Sequence, residues 1–215
     1  MLNSIITWLP DFGQAMLVTL SIVAMALPLS LIGGAVLVAL RISKKATLYT
    51  PVYMVVEFLR NVPTFLLILV VYYGAPLLGS RMDGIYCGMI AIAVQHSAYF
   101  CEVFRGGVQS VLPTQWDAGR AIGLKPIGVF ARVVLPQAIL KMLPAIGNQI
   151  VVLVKDTSLV AGIGVIDLTL TGKLLMERTA ASYEVFIVVA VLYLVITTIV
   201  SLLFRWLVSF YRERY

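Results

Sequence analysis

The chain is organised around one stretch, Pro113-Thr-Gln-Trp-Asp-Ala-Gly-Arg-Ala-Ile-Gly-Leu-Lys-Pro126, which continues to Val133-Val-Leu-Pro136. It is the longest polar interruption in a sequence that is otherwise mostly apolar. Thr114 is followed three residues later by Asp117, which approximates a capping box and predicts a helix start. Gly123 stands where a helix end favours a left-handed residue, and Pro126 blocks continuation. The stretch therefore predicts a short helix from about Gln115 to Ile122, and then an amphipathic turn carrying Ile127, Phe130 and Val133.

The composition decides the class of protein. The 215 residues are 61% hydrophobic and 12% charged, with a mean hydropathy of +1.01. A water-soluble domain carries roughly 25% charged residues, so this surplus of apolar side chains cannot all be hidden in a core. The sequence predicts an all-α integral membrane protein. The net charge of +6 comes from basic residues in loops, which is a topology signal and not a nucleic-acid-binding face.

Five apolar segments are each long enough to cross about 30 Å of hydrocarbon. They cover about residues 14–40, 51–78, 84–104, 136–165 and 184–207, and residues 1–215 form a single transmembrane domain with a cytoplasmic loop at 113–136. Residues 1–13 are expected to form an interfacial segment, and residues 166–183 a polar outer stretch. No cleavable signal peptide is expected, because the first residues lack a basic n-region and the first apolar run is too long.

The basic residues predict the orientation. Ten of the 16 lie on one side of the predicted spans: Arg41, Lys44, Lys45, Arg105, Arg120, Lys125, Arg132, Arg205, Arg212 and Arg214. Arg81, Lys173 and Arg178 lie on the other side, and Arg60, Lys141 and Lys155 lie within spans. The excess marks the cytoplasm, so the N-terminus is expected outside and the C-terminus in the cytoplasm.

Metal and enzyme chemistry find no support in the sequence. His96 is the only histidine, so a histidine-based metal cluster is excluded. Cys87 and Cys101 share one apolar segment and are interpreted as small buried hydrophobes. There is no nucleophile–base set, and no catalytic residue is expected.

Polar residues inside the spans are candidates for a translocation pathway. Glu57 and Arg60 can pair on one face of a helix, either as a structural clamp or in the pathway. His96 and Tyr99 belong to a polar cluster in the third span, where His96 is either a hydrogen-bonded interior residue or a pathway contact. The fourth span, interrupted by prolines and glycines, adds a further set to which we assign a substrate-facing or gating role over interhelical contact alone: Asn148, Gln149, Lys155, Asp156, Thr157 and Ser158.

Several motifs together resemble the permeases of binding-protein-dependent ABC importers for polar amino acids. The loop from Asp117-Ala118-Gly119 through Gly123 to Leu135-Pro136 is similar to their "EAA" loop, with Asp for Glu at 117 and Gly for Ala at 119. Further similar segments follow in the family's order, from about Thr19 to the end: Glu57–Pro63, Ala98–Val111, Leu135–Ala138, Pro144–Gln149 and Lys155–Leu159.

The resemblance implies the type I ABC importer (MetI-like) permease fold with a cytoplasmic coupling helix, in the bacterial inner membrane. It implies coupling to an ATPase through Asp117, Ala118, Gly119, Gly123, Leu135 and Pro136. The implied partners are ABC ATPase subunits, a second permease chain, an extracytoplasmic solute-binding protein and membrane lipid, with no nucleic acid. No cofactor is expected on this chain, because it lacks a Walker motif and ATP and Mg would bind the ATPase.

Two other functions are weighed against this one. A stand-alone ion-coupled carrier would use Glu57, Glu102 or Asp156 as its titrating group, but five spans without an inverted repeat argue against it. A membrane enzyme lacks the necessary reactive groups. For the loop alone, the alternative is an ordinary interfacial loop.

Overall fold

The computed structural model describes residues 2–42, 46–180 and 182–212, and within these residues it contains helices and no strand. The α-helices are α1 (Leu2–Arg41), α2 (Ala46–Asn61), α3 (Thr64–Gly74), α4 (Gly84–Gln109), α5 (Pro113–Ala121), α6 (Pro126–Val129), α7 (Leu135–Asp156), α8 (Leu168–Thr179) and α9 (Ser182–Arg212). Short 3₁₀ segments cover Pro76–Leu78 and Thr157–Ile163, and a π-helix covers Phe130–Val134. Lys44, Lys45 and Arg214, which the charge-based orientation counts, lie outside the described residues.

Four helical stretches of the described chain are long and apolar enough to cross a membrane, namely Thr7–Arg41, Gly84–Gln109, Pro126–Ile163 and Tyr183–Tyr211. A bent pair of helices, Thr47–Asn61 and Thr64–Leu78, makes up to five spans if the pair is counted as one. The predicted all-α membrane fold is confirmed.

The second span is broken, whereas the sequence predicted one segment over 51–78. The axes of α2 and α3 differ by 104°. Pro63 lies at the break, with φ −58° and ψ 133°. Because proline has no N–H and disfavours a helical conformation in the preceding residue, α2 cannot continue through it.

Two other regions are more helical than the sequence predicted. The segment expected at the interface, residues 1–13, is helical from Leu2, where α1 begins, and it runs without interruption into the first span. The outer stretch at 166–183 contains α8. Asp167 caps its first turn, and the residue after its last, Ala180, is left-handed with φ 55°. Trp8, Phe12, Leu168 and Leu175 share one apolar cluster, so packing between the two regions stabilises both helices.

The start of the loop helix also differs from the prediction. α5 begins at Pro113 with Leu112 as N-cap and no side-chain cap, so the predicted capping role of Thr114 is wrong. Proline at the first helical position presets φ and makes a side-chain cap unnecessary. The predicted end is confirmed, because Gly123 has φ +81°.

The centre of the fold is α4, which packs against α1, α2, α3 and α7. Close approach of α1 depends on Gly34, where an added Cβ would lie 2.6 Å from the Phe100 Cβ. The core between these helices includes Ile22, Ile68, Ile92 and Leu153. The polar residues of α4 are therefore held between other helices and away from lipid.

Candidate functional site

Four polar side chains from three helices meet inside the bundle, and we call them the central polar cluster: Thr64, His96, Gln149 and Asp156. The His96 Nε2 lies 3.1 Å from the Asp156 Oδ2, and the Gln149 Nε2 lies 3.0 Å from the His96 Nδ1. The Thr64 hydroxyl donates to the same Asp156 oxygen at 3.3 Å. Gln149 and Asp156 are two helical turns apart, so they lie on one face of α7.

The hydrogen-bond directions assign the histidine tautomer. With the Gln149 amide nitrogen as donor, the His96 Nδ1 is the acceptor and the Nε2 carries the proton that it donates to Asp156. The side chain of His96 is fully buried, while that of Asp156 is 22% exposed. Among the described residues no lysine or arginine nitrogen lies within 4.0 Å of Asp156. The cluster therefore presents a carboxylate supported by neutral donors.

Gln95 and Tyr99 of α4 donate hydrogen bonds to carbonyl groups at the C-terminal end of α2. Pro63 has no N–H to donate to the carbonyl of Leu59, four residues earlier. Instead, the Gln95 amide donates to Leu59 O at 3.0 Å and to Val62 O at 2.7 Å. The Tyr99 hydroxyl donates to Arg60 O at 3.1 Å. The hydroxyl of Tyr99, a predicted pathway residue, is thus occupied at the helix break, although its ring contacts His96 at 5.7 Å between centroids.

A group of ion pairs joins α1, α2 and α4 near their C-terminal ends. The predicted pair of Glu57 and Arg60 is confirmed, with 3.0 Å between Oε1 and Nη1. The Arg41 guanidinium is buried, and it pairs with Glu102 and approaches Glu57 at 3.9 Å. Arg105 also pairs with Glu102, at 2.6 Å. Because two carboxylates pair with three guanidinium groups across three helices, the geometry favours a structural clamp for Glu57 and Arg60.

The remaining predicted pathway residues do not join the central polar cluster. Lys155 is exposed and Asn148 lines a cavity between α7 and α9. Thr157 is buried and its hydroxyl bonds to Val154 O, within its own helix. Ser158 is partly buried in the 3₁₀ segment. Thr64 was not among the predicted pathway residues, although its position directly after Pro63 makes it the first polar side chain beyond the break.

The loop helix is attached to the start of the next span. The Trp116 and Phe130 rings lie 6.3 Å apart, and Gln137 donates to the Gln115 side chain at 3.1 Å. Gly119 is buried, and a Cβ there would lie 2.8 Å from a methyl group of Val129. The small size of Gly119 therefore serves the contact between α5 and α6, and its part in coupling to an ATPase stays a prediction.

The outer side of this loop is exposed. Asp117, Ala118 and Gly123 face solvent, and Asp117 pairs with Arg120 at 3.5 Å. Apolar side chains are also exposed, with Ile122 at 75% and Ile127 at 82%. Leu135 and Pro136 lie in the first turn of α7, Leu135 partly buried and Pro136 exposed. Clustered apolar side chains on a polar loop are typical of a protein contact surface.

A buried carboxylate lies outside the spans, at the start of α8. The Asp167 Oδ1 accepts from the Leu170 N–H at 2.8 Å, and the Tyr193 hydroxyl donates to its Oδ2 at 3.1 Å. Burial raises the pKa of the Asp167 carboxyl, and these hydrogen bonds offset part of that rise. The residue fixes α8 against α9.

Comparison with known proteins identifies relatives over most of the chain. A family model described as "Binding-protein-dependent transport system inner membrane component" matches residues 32–213. The probable amino-acid permease protein YxeN of Bacillus subtilis is 32% identical over 197 residues, which cover 90% of this chain and 88% of that protein. The nopaline transport system permease protein NocM of Agrobacterium fabrum is 32% identical over 207 residues, covering 92% and 86%.

Solved structures agree in fold. The crystal structure of an amino acid ABC transporter with histidines matches with a TM-score of 0.88 at 29% identity, covering 99% of this chain and 98% of that chain. The MetNI methionine ABC transporter in an inward-facing conformation matches with a TM-score of 0.72 at 16% identity, covering 95% and 96%. The second likeness is one of fold alone.

Proposed function

The chain belongs to the family of binding-protein-dependent transport system inner membrane components, and from that premise we propose that it admits an amino acid or a related small polar solute. It is a multi-pass inner-membrane permease subunit of an ATP-driven importer. It is not an enzyme, because ATP hydrolysis belongs to a separate ATPase subunit.

The observation that carries the substrate class is the carboxylate of Asp156. It lies at the end of a membrane-spanning helix, it is supported by His96 and Thr64, and no described cation neutralises it. A charge in such a place is costly unless it is paired or hydrated. An ammonium group on the solute would supply the missing positive charge, which favours amino acids over neutral or anionic solutes.

Coupling to the ATPase is assigned to the exposed side of α5. Asp117, Ala118 and Gly123, together with the exposed Ile122 and Ile127, form a surface that fits a groove in a protein partner. Movement of α5 would reach α7 through the contacts of Trp116 with Phe130 and of Gln115 with Gln137, and α7 carries Asp156 at its far end. ATP-driven closure of the partner would thereby change access to the carboxylate.

The proposed assembly contains two permease chains, two ATPase subunits and an external solute-binding protein. The N-terminus lies outside and the C-terminus in the cytoplasm, as the distribution of basic residues favours. This orientation places α5 next to the ATPase and α8 on the side of the solute-binding protein.

The test uses the complex reconstituted in liposomes, with radiolabelled amino acids outside and ATP inside. We expect uptake only with ATP, and uptake driven by an ion gradient without ATP would contradict the proposal. The Gly123→Val variant should insert and fold but lose most uptake per complex. A non-glycine residue at φ +81° is strained by roughly 1 kcal/mol or more, which shifts the end of α5.

Gly79 provides a matched control for this variant. It has φ +77°, and like Gly123 it has no atom within 4 Å of an added Cβ. Gly79→Val therefore carries a similar backbone strain far from α5. Equal uptake and ATPase activity per co-purified complex in the two variants would remove α5 from the coupling mechanism.

A further inference from the structure

A cavity with polar and apolar walls lies outside the central polar cluster, between residues 11–18 of α1 and the helix α8. Its volume is about 330 Å³, and none of Thr64, His96, Gln149 and Asp156 lines it. Binding cavities for small molecules have volumes of about 300–1,000 Å³, so its size admits a small ligand. It lies at the end of α1 remote from Arg41 and α5.

Two opposite charges stand at this cavity without pairing. Asp11 comes from α1 and Arg178 from α8, and both side chains are exposed. Within the described parts of the chain, neither forms an ion pair within 4.0 Å, with the other or with a third residue. The Gln14 amide lines the same cavity and adds a donor and an acceptor.

A buried threonine in the cavity wall also lacks a partner. Hydroxyl groups in helices commonly bond to the carbonyl three or four residues earlier, and Thr179 and Thr197 do so here. Thr171 is 6% exposed and lines the cavity, yet its hydroxyl finds no partner among the described residues. Turning this hydroxyl towards the cavity would break no hydrogen bond, whereas leaving it buried and unpaired is costly.

We propose that this cavity binds a small zwitterion, with its ammonium group at Asp11 and its oxyanion at Arg178. Gln14 and the reoriented Thr171 hydroxyl complete the polar contacts. Because two of these residues belong to α1 and two to α8, a bound zwitterion ties the two helices together at the outer end of the bundle. No residue of the central polar cluster lines the site, so its occupancy does not depend on the proposed function.

Two sources carry this chemistry at a membrane surface, a free amino acid and the phosphoethanolamine head group of a lipid. The experiment follows the reaction of a water-soluble maleimide with a Leu174→Cys variant, in the complex with Cys87→Ala and Cys101→Ala, because Leu174 lines the cavity and makes none of the proposed polar contacts. In one arm, nanodiscs of phosphatidylglycerol receive L-alanine. In the other arm, nanodiscs containing phosphatidylethanolamine are compared with phosphatidylglycerol alone, without amino acid.

We expect one arm to slow labelling about tenfold when the zwitterion is at about ten times its Kd, as simple occupancy requires. That arm identifies the source. Arg178→Gln and Asp11→Asn should each restore fast labelling, and Thr171→Val should weaken the protection while the complex stays assembled. Lys173→Gln removes a nearby exposed charge that does not line the cavity, and it should change nothing.

Several outcomes would overturn the proposal. Equal labelling in all conditions means that no zwitterion binds, and an unreactive Leu174→Cys variant means that the assembled complex covers the cavity. Protection by acetate or by ethylammonium alone, equal to that by L-alanine, means that one charge suffices. A Tyr183→Cys variant reports on the reagent, since Tyr183 is 77% exposed and its labelling should not respond to zwitterions.

Discussion

At the scale of single residues, two carboxylates near the end of the fourth span have different surroundings and different roles. Asp156 is partly exposed and bonded to the side chains of His96 and Thr64. Asp167 is fully buried, caps α8 and accepts from Tyr193. In the proposed function the first keeps a charge available to a ligand, whereas the second uses its oxygens to hold one helix against another.

Asp156→Asn should impair uptake without dissociating the complex. The asparagine oxygen still accepts the proton from the His96 Nε2, so the central polar cluster stays in place, but the charge that pairs with an ammonium group is lost. A hydrogen bond to a charged group contributes roughly 1.5–3 kcal/mol, so the apparent affinity for the amino acid should fall about tenfold or more. Concentration-dependent uptake measures this change, and Glu177→Gln, which removes an exposed charge outside the central polar cluster and α5, is the control for charge.

Asp167→Asn should stabilise the protein increasingly as the pH rises. The folded-state pKa of Asp167 is raised above the ordinary 3.8, so ionisation disfavours the folded state. The stability that the protonated form contributes is complete below that ordinary value and is lost as the pH rises through the raised folded pKa. The asparagine variant keeps an acceptor for Leu170 and carries no charge, so it avoids this loss.

The unfolding midpoints of wild type and Asp167→Asn, compared from about pH 4 to about pH 8, measure this effect. The advantage of the variant should grow through the titration of Asp167 and then level off. An advantage that shrinks as the pH rises would contradict the assignment. Asp167→Ala should be less stable than Asp167→Asn by about 1 kcal/mol at every pH, because both variants are uncharged and only alanine loses the cap of α8.

At the scale of elements, α4 and the break between α2 and α3 depend on each other. Pro63 ends α2, which leaves carbonyl groups of its last turn without a donor from within the helix. Gln95 and Tyr99 of α4 satisfy these groups at Leu59, Arg60 and Val62. The polar residues Gln95 and Tyr99 of the third span thus have a structural role. Of the polar residues in this span, His96 belongs to the central polar cluster.

Gln95→Leu should destabilise the protein by about 2 kcal/mol or more. The variant leaves two buried carbonyl groups without donors, and each such group costs about 1–3 kcal/mol. Thermal unfolding of the purified protein and the yield of assembled complex measure the loss. Ser97→Ala is the matched control, since the Ser97 hydroxyl bonds only to Ala93 O within α4, and equal stability of the two variants would refute the capping role of Gln95.

At the scale of the whole molecule, α7 connects the proposed coupling surface with the central polar cluster. The exposed loop helix lies at one end, and the central polar cluster meets the other end at Asp156. Between them, the π-helix Phe130–Val134 directly precedes α7, and α7 contains Pro144. π-helical turns are frequent at functional sites, and here the turn lies where motion of α5 would enter the span.

The orientation predicts that the two sides of the molecule react with different pools of reagent. Single cysteines introduced at Thr47 and Thr179, in a background without Cys87 and Cys101, should be labelled from opposite sides of sealed vesicles. Thr47 should react only from the cytoplasmic side and Thr179 only from outside, and both side chains are exposed. Labelling of both from the same side would contradict the five-span orientation.

The sequence alone determined the features that depend on local chemistry. Apolar segments long enough to cross a bilayer indicated the class, and their spacing with the loop motif indicated the family and the permease role. Gly123 was predicted to be left-handed because only glycine adopts that conformation at little cost, and Glu57 was predicted to pair with Arg60 because residues three apart share a helix face. The predictions for Gly123 and for the pair of Glu57 and Arg60 depend on neighbours within a few positions of the chain.

Only the tertiary structure decided which side chains meet. Thr64, His96 and Asp156 lie on three helices, and no spacing in the chain reveals that their atoms converge or that Lys155 turns away. The same holds for Gly119, where an added Cβ would lie against Val129. Helix formation follows from local periodicity, whereas the rotation and bend of each helix follow from packing against residues far away in sequence, such as the carbonyl groups beside Pro63 that Gln95 satisfies.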